Sequence, residues 1–92
     1  MMCKIEKVQA LTVGTSAQTV SLGGLACMVQ NLTEGATVYV KEKRHDNVAA
    51  SASNGWAIAA GKSTEIPLVA MDLSIISDTA STDVRVMILD LG

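Results

Sequence analysis

The sequence predicts an all-β domain: a single small antiparallel β-sandwich, jelly-roll or Ig-like, with about eight short strands and no substantial helix. Three observations carry that prediction. Between Asn54 and Leu91, short apolar runs alternate with clusters of Gly, Ser, Asn and Asp, the residues that turns require. Two stretches, Thr19-Val20-Ser21-Leu22 and Ala36-Thr37-Val38-Tyr39-Val40-Lys41, alternate with the two-residue period of a pleated strand. No segment reads convincingly as a helix.

In chain order, Lys4 to Val13 alternates loosely and is read as a strand in preference to a helical turn. Gly14-Thr15-Ser16-Ala17 is a loop, and Thr19–Leu22 a half-buried strand. Gly23-Gly24 reads as a turn, because glycine accepts positive φ. Leu25–Gln30 follows as a largely buried strand, and Thr33-Glu34-Gly35 turns the chain into Ala36–Lys41, the clearest strand of all. Its β-branched residues suit a pleated surface. Glu42 to Asp46 is expected to be an exposed tip, with Arg44, His45 and Asp46 a candidate contact loop. Asn47–Ser53 is loop or edge strand, and Asn54-Gly55 fits a type I′ turn. Four strands close the pattern: Trp56–Ala59, Ser63–Leu68, Leu73–Ser77 and Val84–Leu89. Pro67 lacks an amide donor, so its strand is expected to lie at an edge or to end there. No repeat or linker divides the 92 residues, so they form one domain, with residues 1–13 an N-terminal strand or anchoring arm.

Composition limits the core. Folding at this size hides roughly 60–70% of the surface of the unfolded chain. Phe is absent, and Trp56 and Tyr39 are the only aromatic residues, which makes them candidate core or interface anchors. The apolar fraction is nevertheless 49% and the mean hydropathy +0.36. A thin core beside so much apolar surface predicts that part of it is covered by other copies, as a homo-oligomer.

Charge excludes some classes. Seven Lys/Arg against nine Asp/Glu give a formal net charge of -2, unsuited to gripping phosphate backbones, so no nucleic-acid partner is expected. No charge occurs from Val8 through Thr33, yet polar residues and glycines interrupt that stretch, so no transmembrane helix and no membrane partner are expected. The first seven residues lack the apolar region of a secretory signal, which predicts synthesis and retention in a cytoplasm. Two cysteines are too few for a disulfide framework. Cys27, within an apolar strand, reads as a small buried hydrophobe, and a reducing cytoplasm disfavours a bridge to Cys3.

Candidate chemistry is sparse. Gly61-Lys62-Ser63-Thr64 resembles the end of a phosphate-binding loop, but the required earlier glycine position holds Trp56. A strand-like Thr64-Glu65-Ile66-Pro67-Leu68 also follows where a helix is needed, so a β-turn is the better reading. His45, beside Asp46 and near Glu42, is the single histidine, too few for a zinc site unless copies meet on a symmetry axis. No nucleophile–base pair or carboxylate pair stands out, so no enzyme activity and no cofactor are expected. Asn31-Leu32-Thr33 matches a glycosylation sequon without the secretory context that would give it meaning.

From Asn31 to Leu91 the chain resembles small structural proteins of tailed phages and prophages. The shared pattern joins Val38-Tyr39-Val40 to a polar loop, then an Asn-Gly segment, Ala60-Gly61-Lys62-Ser63 and an apolar Ile66. It closes with Leu73-Ser74-Ile75-Ile76-Ser77, a Ser/Thr loop and Asp83-Val84-Arg85-Val86. The resemblance implies a virion component, a capsid decoration or head-fibre-like protein, often trimeric, made in a bacterial host and bound to the major capsid protein of the mature shell. The segment around Ile5 to Ala10 departs from that pattern and is a candidate anchoring arm. The alternative is a carbohydrate- or receptor-binding module of a tail fibre or cell-surface protein. An exposed Trp56 favours the module and a buried Trp56 the decoration protein.

Overall fold

A computed structural model describes residues 4–43 and 48–90, with the side chains of 66–70 left aside. The described chain is all-β and antiparallel, without a helix. Its strands are β1 (Lys4–Val13), β2 (Gln18–Asn31), β3 (Val38–Glu42), β4 (Trp56–Ile58), β5 (Ser63–Ser77) and β6 (Thr82–Asp90). They form one sheet in the order β1-β6-β2-β5-β3-β4.

The sandwich expectation requires correction in one respect: one continuous curled sheet replaces two separate ones. The cause lies in β2 and β5. Gly23-Gly24 does not turn the chain. With φ of 62° and 83°, it forms an irregularity inside a 14-residue strand. The register of β2 on β5 slips between Ser21 and Leu25 and slips back between Leu25 and Cys27. Paired bulges of this kind bend both strands without breaking the ladder. Beyond the bend β2 pairs with β6 through Ala26–Asn31, while the far half of β5 pairs with β3. The sheet thus folds over its own apolar face, and fewer, longer strands replace the expected short ones. Pro67 neither ends β5 nor puts it at an edge of the sheet. It falls in the irregular stretch between the Ile66 and Ala70 pairings, where a missing amide costs no regular ladder bond.

Alternation fills the core. Val84, Val86 and Ile88 of β6, Cys27 and Val29 of β2, and Val38, Val40, Leu73 and Ile75 of the other half form one buried cluster. No aromatic ring belongs to it. Burial pushes the Cys27 thiol from 9.0 up to about 11, consistent with a small apolar filler. The buried polar side chains are satisfied. Asn31 Nδ2 donates to Ala36 O (2.9 Å) and Ile58 O (3.1 Å), while its Oδ1 accepts from Thr33 N–H (3.1 Å). Ser77 Oγ lies 2.6 Å from Thr82 Oγ1, which donates to Thr79 O (2.7 Å), and Ser74 Oγ accepts from Ala50 N–H (2.8 Å).

Candidate functional site

The face of the sheet opposite the core has an unusual composition where β1, β6 and β2 lie side by side. Outward-facing residues of a half-buried antiparallel sheet are ordinarily polar. Here the register aligns Val8, Met87 and Met28 in one row across three strands, with Glu65 of β5 next in line. A second row runs Ala10, Arg85, Gln30 and Ser63, and a third runs Ile5, Leu89 and Ala26. Ile5 and Val8 are separated by an odd number of steps and would ordinarily point to opposite faces. The register shift between Ile5 and Lys7 absorbs one residue and brings both onto the outer face. There they stand 59% and 58% exposed.

Val8, Met28, Met87, Gln30, Ser63 and Arg85 line a shallow depression of about 280 Å³. Its apolar lining comes from the first row and its polar lining from the second. Arg85 Nη1 is paired with Asp83 Oδ1 at 2.6 Å across a solvated surface, so the cation is partly neutralised and adds little to stability. This arrangement offers contact area and adaptable methionine side chains. It contains no nucleophile activated by a neighbouring base.

The sequence-predicted anchors separate. Trp56 is 68% exposed, so it does not fill the core. Its position explains why: it opens the three-residue β4, where sheet coverage ends. Tyr39 is half-buried. Tyr39 pairs with Ala57, whereas Trp56 pairs with Val40, so the two aromatic residues belong to opposite faces of the β3–β4 ribbon. They cannot form one stacking platform. The role of either as an interface anchor stays an expectation. Arg44, His45 and Asp46 lie outside the described residues, as does Cys3. Among the described residues, no group of three or more His, Cys, Asp or Glu is placed to hold a metal ion.

Two turn readings meet different outcomes. Lys62 N–H donates to Ala59 O (3.0 Å) with Gly61 at φ 73°, which is a β-turn. Gly61 N–H is already committed to Asn31 O (2.9 Å), so it has no free amide for a phosphate. Asn54-Gly55, by contrast, is not a type I′ turn, because Gly55 has no left-handed φ. Glycine is needed there for space: a Cβ would lie 2.8 Å from Tyr39 Cβ and 3.0 Å from Ser51 O.

The outer row of Val8, Met28 and Met87 was not singled out from sequence. A signal existed in Val86-Met87-Ile88-Leu89, which is apolar on both faces of a strand and so requires cover on both. Among the described residues no helix is long and apolar enough to cross a membrane. Compared with known protein families, with curated proteins and with solved structures, the chain matches none.

Proposed function

We propose that this chain is a non-enzymatic structural protein of a phage or prophage virion, a capsid decoration protein that binds the mature head shell as a homo-oligomer. The apolar outer face carried by Ile5, Val8, Met28 and Met87 is the observation that supports an assembly role. Apolar area withdrawn from water contributes roughly 25 cal/mol per Å², so a rigid apolar sheet face can drive association without directed chemistry. A trimer is the assembly the resemblance to phage structural proteins implies, with the major capsid protein as the wider partner. Co-sedimentation with expanded heads and with unexpanded procapsids of the phage that carries the gene tests the reading. Binding to expanded heads alone is expected, and binding to neither overturns it.

A second reading has its own observation. The exposure of Trp56 favours a carbohydrate- or receptor-binding module, in which an exposed ring stacks on a sugar. Against it stands the placement of Tyr39 on the opposite face, which leaves Trp56 without an aromatic companion. Because Trp56 is the single tryptophan, its fluorescence reports directly. Under the decoration reading, emission is that of a solvated indole and does not change across a panel of oligosaccharides. A saturable shift with one glycan, together with failure to bind heads, selects the module.

A further inference from the structure

We propose that the open edge of β1 is the seat of a second copy of this chain, two β1 strands pairing antiparallel about a two-fold axis near Ala10. The inference rests on reading the chain as an assembly of copies, and it names the surface that joins them.

The edge itself is the first observation. Among the described residues β1 pairs with β6 alone, so one side of a ten-residue strand is left without a ladder partner. Sheet edges left open in this way recruit other strands unless charge, proline, a bulge or a covering segment blunts them. On β1 such guards are confined to one end. Lys4, Glu6 and Lys7 carry charge, and the register shift lies between Ile5 and Lys7. From Val8 to Val13 the register is unbroken, and the stretch holds no charge, glycine or proline. At its far end Gln18 Nε2 donates to Thr12 O (2.7 Å), an exposed side-chain bond that a strand pairing through Thr12 has to displace, so the fully unguarded stretch is Val8–Leu11.

What such an edge accepts is a strand, because its main-chain donors and acceptors alternate at strand spacing. A second copy supplies one of equal length. Centring the two-fold at Ala10 sets the two Ala10 residues opposite each other and keeps the charges of Lys4, Glu6 and Lys7 at or beyond the ends of the paired stretch. No like charges then meet, whereas a register centred on Glu6 or Lys7 sets that residue against its own copy. The pairing sets Val8 opposite Thr12 of the second copy, on the same face of the extended sheet. The opposite edge, β4, is only three residues long and offers no comparable ladder. A two-fold contact makes the assembly an even number of chains: a dimer, or a hexamer where it joins two trimers.

The test is the mass of the full chain by light scattering at low and high micromolar concentration, with Ala10→Lys, Ala10→Glu and an equimolar mixture of the two. Ala10 is exposed, so each variant is expected to keep the far-UV circular dichroism of the parent. The parent is expected to contain an even number of chains. Each single variant puts like charges at the centre of the contact and is expected to raise the dissociation constant at least about tenfold. The mixture restores the parental mass, a result that general loss of stability cannot give. A second variant, Val8→Lys, is expected to weaken association as well, and Trp56→Ala leaves it unchanged. A parental mass of one or three chains overturns the proposal, as does an Ala10→Lys mass equal to that of the parent. A trimer overturns only the β1 contact and leaves the decoration reading standing, whereas failure to bind expanded heads removes that reading whatever the mass.

Discussion

The two ends of the sheet are finished in different ways. At the β4 end, side chains close the structure. Asn31 reaches across to the carbonyls of Ala36 and Ile58, and Asp78 Oδ1 accepts from Thr37 N–H (2.9 Å). Asn54 ties its own turn at both sides, accepting from Ser51 N–H (2.7 Å) and donating to Ala49 O (3.1 Å). At the β1 end, a ten-residue strand is held by its ladder with β6, and exposed Ile5 and Val8 stand on its surface. An edge stitched by side chains is finished within one chain. An edge made of bare uncharged strand is open to another strand. The difference predicts which substitutions act on folding and which on assembly.

The largest effect on folding is expected at Asn31. It is fully buried and makes three hydrogen bonds that join β2 to β4 and to the following loop. Asn31→Ala leaves two carbonyls and one amide without these partners, which costs about 3 kcal/mol at 1–3 kcal/mol per buried unsatisfied group, allowing for partial rehydration. For a domain of this size that lowers Tm by more than about 10 °C. Asn31→Asp keeps the acceptor for Thr33 but faces two carbonyls with a carboxylate, so it is expected to do no better. A drop below about 1 kcal/mol by urea unfolding would show that the β4 end is not held this way.

Next in size is a pair of glycines, one from each end. Gly55→Ala forces a Cβ against Tyr39 and Ser51 and is expected to cost about 1–3 kcal/mol, because the contacts are backbone and near-backbone atoms that cannot swing aside. Gly14, just past β1, has open space around its Cβ position and no left-handed φ. Gly14→Ala is therefore expected to be neutral or to stabilise by up to about 1 kcal/mol, through the unfolded state. Equal losses at both positions would erase the contrast between the ends.

That contrast was only partly legible in the sequence. Alternation in Ala36–Lys41 and in Val84–Leu89 identified strands whose inner residues, Val38, Val40, Val84 and Val86, do form the core. Gly23-Gly24 defeated the same reasoning. Positive φ serves a bulge as well as it serves a turn, and whether the ladder continues is decided by β5, some forty positions away. The split of β5 at Pro67 failed for the same reason. Trp56 does not fill the core, because hydrophobicity predicts burial only where a neighbouring layer exists and β4 is the last strand of the sheet, while its reading as an interface anchor stays an expectation. The place of Ile5 on the outer apolar face depends on a one-residue slip inside β1, which shifts it onto the face of Val8 and has no local sequence marker.

Buried Cys27 gives a smaller, pH-dependent effect. With Cys3 replaced by Ser, the remaining thiol is expected to resist a disulfide reagent in the native protein and to react at once in denaturant. Burial raises its pKa from 9.0 to about 11, so the folded state holds the proton where the unfolded state releases it. Stability is therefore expected to fall as pH rises from about 9 to about 11, and Cys27→Ala removes that slope. Rapid native labelling at neutral pH would place the thiol outside the core.

The smallest expected effect is local, and it probes the stitched end directly. The Thr37 amide and then the Thr79 hydroxyl hold the Asp78 carboxyl below the ordinary 3.8. A carboxyl whose pKa is lowered on folding adds stability above its unfolded value and loses it as pH falls through the folded one. The carboxyl is fully solvated, so global unfolding is not the readout. The Thr37 amide is: its chemical shift should titrate with a midpoint below 3.8, and its exchange protection should drop over the same range. Asp78→Asn should abolish the midpoint while the neutral amide oxygen keeps a weaker bond. Amides of Val8 to Leu11 have no such carboxyl partner described, so they should show no step in that window. A midpoint at or above 3.8 would mean that Asp78 does not fasten β3, and that the β4 end depends on Asn31 and Gly55 for its closure.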